Sequence, residues 1–164
     1  FFKIRNIMRE GYMRNANIPV SGFTAGPCLL KDTMQLSSFY NHKFLLGHSA
    51  MYINEGIPRF IINKLNTKYN LKKKTVGILG LAFKSETDDI RDSLAIKLLK
   101  LLKSKKIKTL QSDEFYKNKD NIGKKDLIRK SDIIILSTPH KAYKKLKIGK
   151  NKILVDAWGL IDKG

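Results

Sequence analysis

The chain has 164 residues, 42% of them hydrophobic, with 33 Lys and Arg against 14 Asp and Glu and a formal charge of +19. That length allows one ordinary core, or one core with an appended helical segment. No stretch approaches the roughly 20 apolar residues of a membrane span, so no membrane partner is expected.

The opening Phe1-Phe2-Lys3-Ile4-Arg5 has no long apolar core and no small-residue cleavage site, which argues against a signal peptide. Ile4, Ile7 and Met8 suit the last turns of a helix within residues 1–15, with Gly11 as its stop. Residues 17–31 are a loop dense in breakers, Pro19, Gly22, Gly26 and Pro27, around Cys28, and Asp32 is placed to cap a new helix. From Phe44 to Tyr69, the residues Leu46, Ala50, Ile53, Ile57, Ile61 and Leu65 recur at spacings of three and four. They predict an amphipathic helix, bent near Gly56 and Pro58.

At Leu71-Lys72-Lys73-Lys74 the period changes. Thr75 to Gly80 reads as a strand, and Leu94 to Leu102 as a helix with a broad apolar stripe. Ile107 to Leu110 is a second strand and Asp126 to Lys130 a short helix. Asp132 to Leu136 is a third strand, apolar on both faces, and Lys152 to Asp156 a fourth. The expected fold class is α/β: a helical segment over 1–71 carrying the cysteine loop, then a Rossmann-like parallel sheet over 72–164.

Cys28 is the single cysteine, which excludes an internal disulfide framework and fits a reduced, cytoplasmic setting. His42 and His48 stand six apart, off one helical face, and His140 stands alone, so no metal is expected. The lysines are spread over linkers and helix faces without interleaved aromatics or a recognition motif. They read as solvated faces, with no nucleic-acid partner expected.

Two constellations carry chemistry. The first is Gly22-Phe23-Thr24-Ala25-Gly26-Pro27-Cys28-Leu29-Leu30-Lys31-Asp32. A lone cysteine is more often a small buried hydrophobe than a nucleophile. Here, glycines admit close backbone approach, and a helix start and a lysine are surroundings that favour a reactive thiol. The second runs from Gly80 through Phe83-Lys84 to Asp89-Ile90-Arg91-Asp92-Ser93, between a strand and a helix, where α/β sheets bind ligands. Capping alone accounts for its Asp and Ser residues. It does not account for Phe83, Lys84 and Arg91, an aromatic and two cations suited to a base and a diphosphate. Gly77-x-x-Gly80 is not a dinucleotide fingerprint.

In this order, separated by one long helix, the two constellations resemble the UDP-glucose/GDP-mannose dehydrogenase family. That family has a glycine-rich loop running into Cys-Leu-Pro-Lys-Asp, then Gly-Leu-Ala-Phe-Lys leading into Asp-Asp-x-Arg-x-Ser. The resemblance extends over nearly the whole chain and implies NAD-dependent oxidation of a UDP-sugar primary alcohol to the uronate. By the same resemblance Cys28 would form the thiohemiacetal and thioester, and Asp32 would assist water and proton handling. Lys31 and Arg91 would contact NAD. Phe83 and Lys84, with the loop residues Phe23, Thr24, Ala25 and Gly26, would contact the nucleotide sugar. It also implies a homodimer through the central helices and a separate NAD-binding domain bearing Gly-x-Gly-x-x-Gly, without which the chain alone should not turn over. Thr24-Ala25, Leu30 and Trp158 depart from the family pattern and leave the sugar open. A non-catalytic nucleotide-sugar-binding module and a basic nucleic-acid-binding domain are the alternatives. The thiol beside Lys31 and Asp32 speaks against the first, and the missing recognition motif against the second.

Overall fold

A computed structural model describes residues 1–41 and 43–161, so His42 and the last three positions lie outside the described residues. Three helices come first: α1 (Phe2–Arg9), α2 (Leu29–Phe39) and α3 (Leu45–Asn66). The α/β portion follows as β1 (Thr75–Leu79), α4 (Leu94–Ser104), β2 (Lys108–Ser112), α5 (Lys124–Lys130), β3 (Ile133–Leu136) and β4 (Ile153–Asp156). All strand pairs are parallel, in the order β2-β1-β3-β4. The chain therefore starts at β1, moves one way to β2, then crosses back past β1 to β3. Such a reversal is the switch point at which doubly wound sheets bind ligands beyond their strand C-termini.

Both faces of the sheet are covered, so the strand residues divide between two cores. Val76 and Ile78 of β1, with Ile133 and Ile135 of β3, enter a core shared with Leu94, Leu98 and Leu102 of α4 and Ile61, Ile62 and Leu65 of α3. The alternate residues Leu79, Ile134 and Leu136 face Leu127 of α5 and Tyr143. Gly77 lies on that second face, and a Cβ there would run into Ser131 and Leu127. It is glycine so that α5 can approach the sheet closely.

The helix over 44–69 is observed as α3, continuous through Gly56 and Pro58. Its stripe divides. Ile61 and Leu65 are buried, but Leu46 is 81% and Ile53 69% exposed. Helix α2 starts one turn earlier than expected. Cys28 is its N-cap residue, and Asp32 lies inside its first turn rather than capping it. The reason is local: the Asp32 amide already donates to the Cys28 carbonyl at 2.8 Å, an intrahelical bond. No described helix is long and apolar enough to cross a membrane.

Candidate functional site

The loop from Gly80 to Asp92 leaves β1 at the switch point and is fixed by bonds from both flanking strand ends. Gly80 has φ +86°, and a Cβ on it would run into Thr138. On the β2 side, Asp113 is buried and its Oδ2 accepts from the amides of Leu81 (2.5 Å) and Ala82 (3.2 Å). Its Oδ1 accepts from Phe115 and Tyr116. Burial pushes this carboxyl up, but hydrogen bonds from His140 and these amides outweigh it and hold the pKa down at about 2. On the β3 side, Thr138 Oγ1 donates to the Ala82 carbonyl, Ser85 Oγ donates to the Pro139 carbonyl, and the Glu86 amide donates to His140 Nδ1 at 3.0 Å. Glu86 Oε1 accepts from the Lys141 amide. The loop closes on itself through the Phe83 amide and the Asp89 carbonyl.

This scaffold presents Phe83, Lys84 and Arg91 at the surface. Lys84 Nζ lies 5.5 Å from the Phe83 ring centroid, a cation–π pair. Arg91 grips Asp89 through Nε and Nη2, the latter at 2.7 Å. The pairing raises the guanidinium and lowers the Asp89 carboxyl.

The cysteine loop is laid against this loop. Gly26, at φ +132°, is buried, and a Cβ there would lie 3.1 Å from the Phe83 ring. Gly22, at φ +149°, leaves room for the Trp158 indole, which follows β4 and donates Nε1–H to the Ser137 carbonyl. Phe23 is 3% exposed and belongs to the core, so its backbone is what remains to face a ligand. Ala25 packs against the same core, and the Thr24 carbonyl accepts from Asn54 Nδ2 of α3 at 2.6 Å. A narrow cleft lies between this loop, α2 and α3, lined by Thr24, Gly26, Leu29, Met51, Asn54 and Asp92.

Cys28 is exposed at the start of α2. Lys31 pairs with Asp32 at 3.2 Å, both side chains largely in solvent. Its ammonium is raised first by the hydrogen bond to Asp32, then by the charge of Asp32 and that of Cys28. Arg91 is raised first by Asp89, and Cys28 again contributes. Cys28 follows Gly26 by two residues, so the backbone contact of Gly26 with the Phe83 ring sets the thiol beside the junction of the two loops. In this way the structure draws Cys28, Lys31, Asp32, Phe83 and Arg91 to one end of the sheet, although up to 63 positions (91 − 28) separate them in the chain. It also assigns weight to residues that composition and spacing did not single out, Asp113 and His140. The available signal was an acid directly after β2, at the carboxyl end of a strand where such sheets bind ligands. Among the described residues, no three His, Cys, Asp or Glu side chains gather as metal ligands.

The chain is similar to known proteins along most of its length. Residues 77–163 match the model of the UDP-glucose/GDP-mannose dehydrogenase family, UDP binding domain. The chain is 30% identical over 147 residues to the UDP-N-acetyl-D-mannosamine dehydrogenase of Pyrococcus horikoshii, covering 83% of this chain and 35% of that protein. It is 26% identical over 159 residues to the UDP-glucose 6-dehydrogenase of Rickettsia conorii, covering 84% and 37%. Among solved structures, the P. horikoshii UDP-D-ManNAc dehydrogenase superposes with a TM-score of 0.82 at 24% identity, over 99% of this chain and 41% of that one. A UDP-glucose dehydrogenase from Pyrobaculum islandicum gives 0.81 at 21%, over 96% and 40%. These two structures support the fold. The chain spans a little over a third of the length of the curated relatives it matches along most of its own length.

Proposed function

The chain belongs to the UDP-glucose/GDP-mannose dehydrogenase family, whose UDP-binding-domain model it matches over residues 77–163, and from that premise we propose that it forms the C-terminal part of an NAD-dependent nucleotide-sugar dehydrogenase. In this reading, residues 72–164 hold the nucleotide sugar and residues 1–71 supply the catalytic cysteine loop. The carrying observation is the contact between Gly26 and the Phe83 ring, which sets the cysteine loop against the strand-end loop. Phe83 offers an aromatic face to a base, Lys84 a cation to a diphosphate, and the backbone of Phe23, Thr24, Ala25 and Gly26 close approach to the sugar.

The reaction is the oxidation of a UDP-sugar primary alcohol to the uronate, in two steps. Bound NAD would supply the hydride acceptor for each. Lys31 and Arg91 fit its pyrophosphate, since both are exposed cations, one on each of the two loops that meet at Gly26 and Phe83. At the aldehyde stage Cys28 Sγ adds to the carbonyl carbon, retaining the aldehyde as a thiohemiacetal. Oxidation of that adduct leaves a thioester on Cys28. Water then attacks the thioester carbon and the C–S bond breaks, releasing the uronate. Asp32, four residues along the same helix, takes up the proton of that water. We place a homodimer contact on the first half of α3, where Leu45, Leu46, Tyr52 and Ile53 are 69–81% exposed.

The test is Cys28→Ser in the complete enzyme. A hydroxyl without a dedicated base is a poor nucleophile, so aldehyde should accumulate, or a slow ester form, in place of acid. Normal acid production by Cys28→Ser would falsify the nucleophile assignment.

A further inference from the structure

His140 is completely buried, yet neither ring nitrogen is idle. Nδ1 accepts from the Glu86 amide at 3.0 Å, and Nε2 lies 3.3 Å from Asp113 Oδ2. The two contacts require opposite roles. A nitrogen that accepts from an amide is bare, so the ring proton sits on Nε2 and is donated to the carboxylate. One ring thus links the end of β2 to the far limb of the loop that begins after β1.

An apolar side chain would fill this space. Phe115 and Tyr143 already pack around the ring at centroid distances of 5.1 and 5.3 Å. What such a side chain could not do is satisfy the Glu86 amide. Glu86 is a non-glycine residue at φ +59°, a conformation a bulky side chain adopts only when its surroundings impose it. The imposing contacts are the His140 ring on its amide and the Lys141 amide on its carboxylate. Asp113 meanwhile holds the other limb through Leu81 and Ala82. Between the two limbs lie Phe83, Lys84 and Ser85.

We propose that His140 is a positioning residue for the nucleotide-sugar site: bridging Asp113 and the Glu86 amide, it fixes the two limbs of the Gly80–Asp92 loop and so presents Phe83 and Lys84 to a nucleoside diphosphate. This rests on the reading of Phe83 and Lys84 as substrate contacts. The ring acts through the loop and touches no ligand itself.

The test compares the wild-type chain with His140→Leu, His140→Asn and Lys84→Ala, using UDP as the probe. Asn places an oxygen where Nδ1 stands and so preserves the acceptor for Glu86, whereas Leu preserves neither bond. In the wild type, ring 15N shifts should show Nδ1 bare and Nε2 protonated. In His140→Leu the Glu86 amide should exchange about tenfold faster, with β1 and β3 amides still protected, and the Kd for UDP should rise about fivefold, the scale of one lost buried hydrogen bond. His140→Asn should recover most of both losses, which a purely space-filling role does not predict. If UDP binds the wild type and His140→Leu equally well, the proposal is overturned. It is also overturned if Glu86 exchanges equally in all variants. If His140→Leu fails to fold, His140→Asn decides: protected Glu86 and near-normal UDP binding support the proposal, and loss of either in the folded protein refutes it. If UDP shifts no resonance of the wild type, or Lys84→Ala binds it as tightly as the wild type, the substrate-contact reading fails separately, and the role of His140 for the nucleotide falls with it even where exchange shows the loop held.

Discussion

The sheet and the helices that precede it spend their apolar residues in opposite ways. In β1 and β3 the residues Val76, Ile78, Leu79 and Ile133 to Leu136 are fully buried, and α4 adds Leu94, Leu98 and Leu102. In α1 no residue is buried, and Ile4 and Ile7 are at least 60% exposed. Capping sets α4 apart from the other four helices, α5 included. Ser93 caps α4 by accepting from the Ala95 amide at 3.2 Å, whereas α1, α2 and α3 have no side-chain cap. The sheet's core is completed by Phe23 and the last turns of α3, while the rest of the helical region leaves much of its apolar surface exposed. The nucleophile candidate sits where the two meet.

The sharpest way to break this contrast is to truncate one residue in each region. Ile135→Ala should lower unfolding free energy by about 3 kcal/mol, as buried truncations do. Ile53→Ala, measured by urea denaturation at a dilution where the chain is monomeric, should change it by no more than about 0.5 kcal/mol. Equal losses would show that the helical region packs as tightly as the sheet.

Next in size is acid. The Asp113 carboxyl is held at about 2 in the folded chain, below the ordinary value near 4. Its stabilisation is therefore complete above pH about 4 and is lost as pH falls toward about 2, on the order of 2 kcal/mol in all. Acid titration of tryptophan fluorescence should show this loss, because Trp158 adjoins Ser137 at the end of β3. Asp113→Asn should flatten the titration in that window. An unchanged acid limb in Asp113→Asn would remove Asp113 from the account.

Smaller again is the cap. Ser93→Ala should cost about 1 kcal/mol by thermal melting, since the Ala95 amide loses its acceptor in a buried place. The helices before the sheet have no such side-chain bond to lose. Smallest is Lys31→Ala, which should leave the denaturation midpoint unmoved. Its ion pair with Asp32 is solvent-exposed and contributes little to stability.

Much of this fold was legible in the sequence because each element carried its own period. Ile133 to Leu136 is apolar on both faces because helices cover both, and Leu94, Leu98 and Leu102 repeat at one turn. The stripe on α3 was legible as a helix but not as a buried one. Periodicity reports which face is apolar, not whether anything covers it, and only the last turns, with Ile61 and Leu65, reach the sheet. The cysteine loop and the Phe83-Lys84 loop could be seen as motifs, while their contact could not. It depends on Gly26 and Phe83, 57 positions apart, meeting in space. The roles of Asp113 and His140 were hidden for the same reason, since their partners in the Gly80–Asp92 loop lie 31 to 54 positions away. The expected cap at Asp32 failed because short-range capping rules do not specify where the first intrahelical bond forms.

The central claim is that the exposed thiol of Cys28 and the Phe83-Lys84 loop belong to one nucleotide-sugar site. Iodoacetamide labelling of Cys28, read by mass spectrometry with and without millimolar UDP-glucose, tests it most directly. The ligand should slow labelling in the wild-type chain, and Lys84→Ala should abolish this protection while leaving the unprotected rate unchanged. Labelling at the same rate with and without UDP-glucose, under conditions where the ligand is bound, would contradict it.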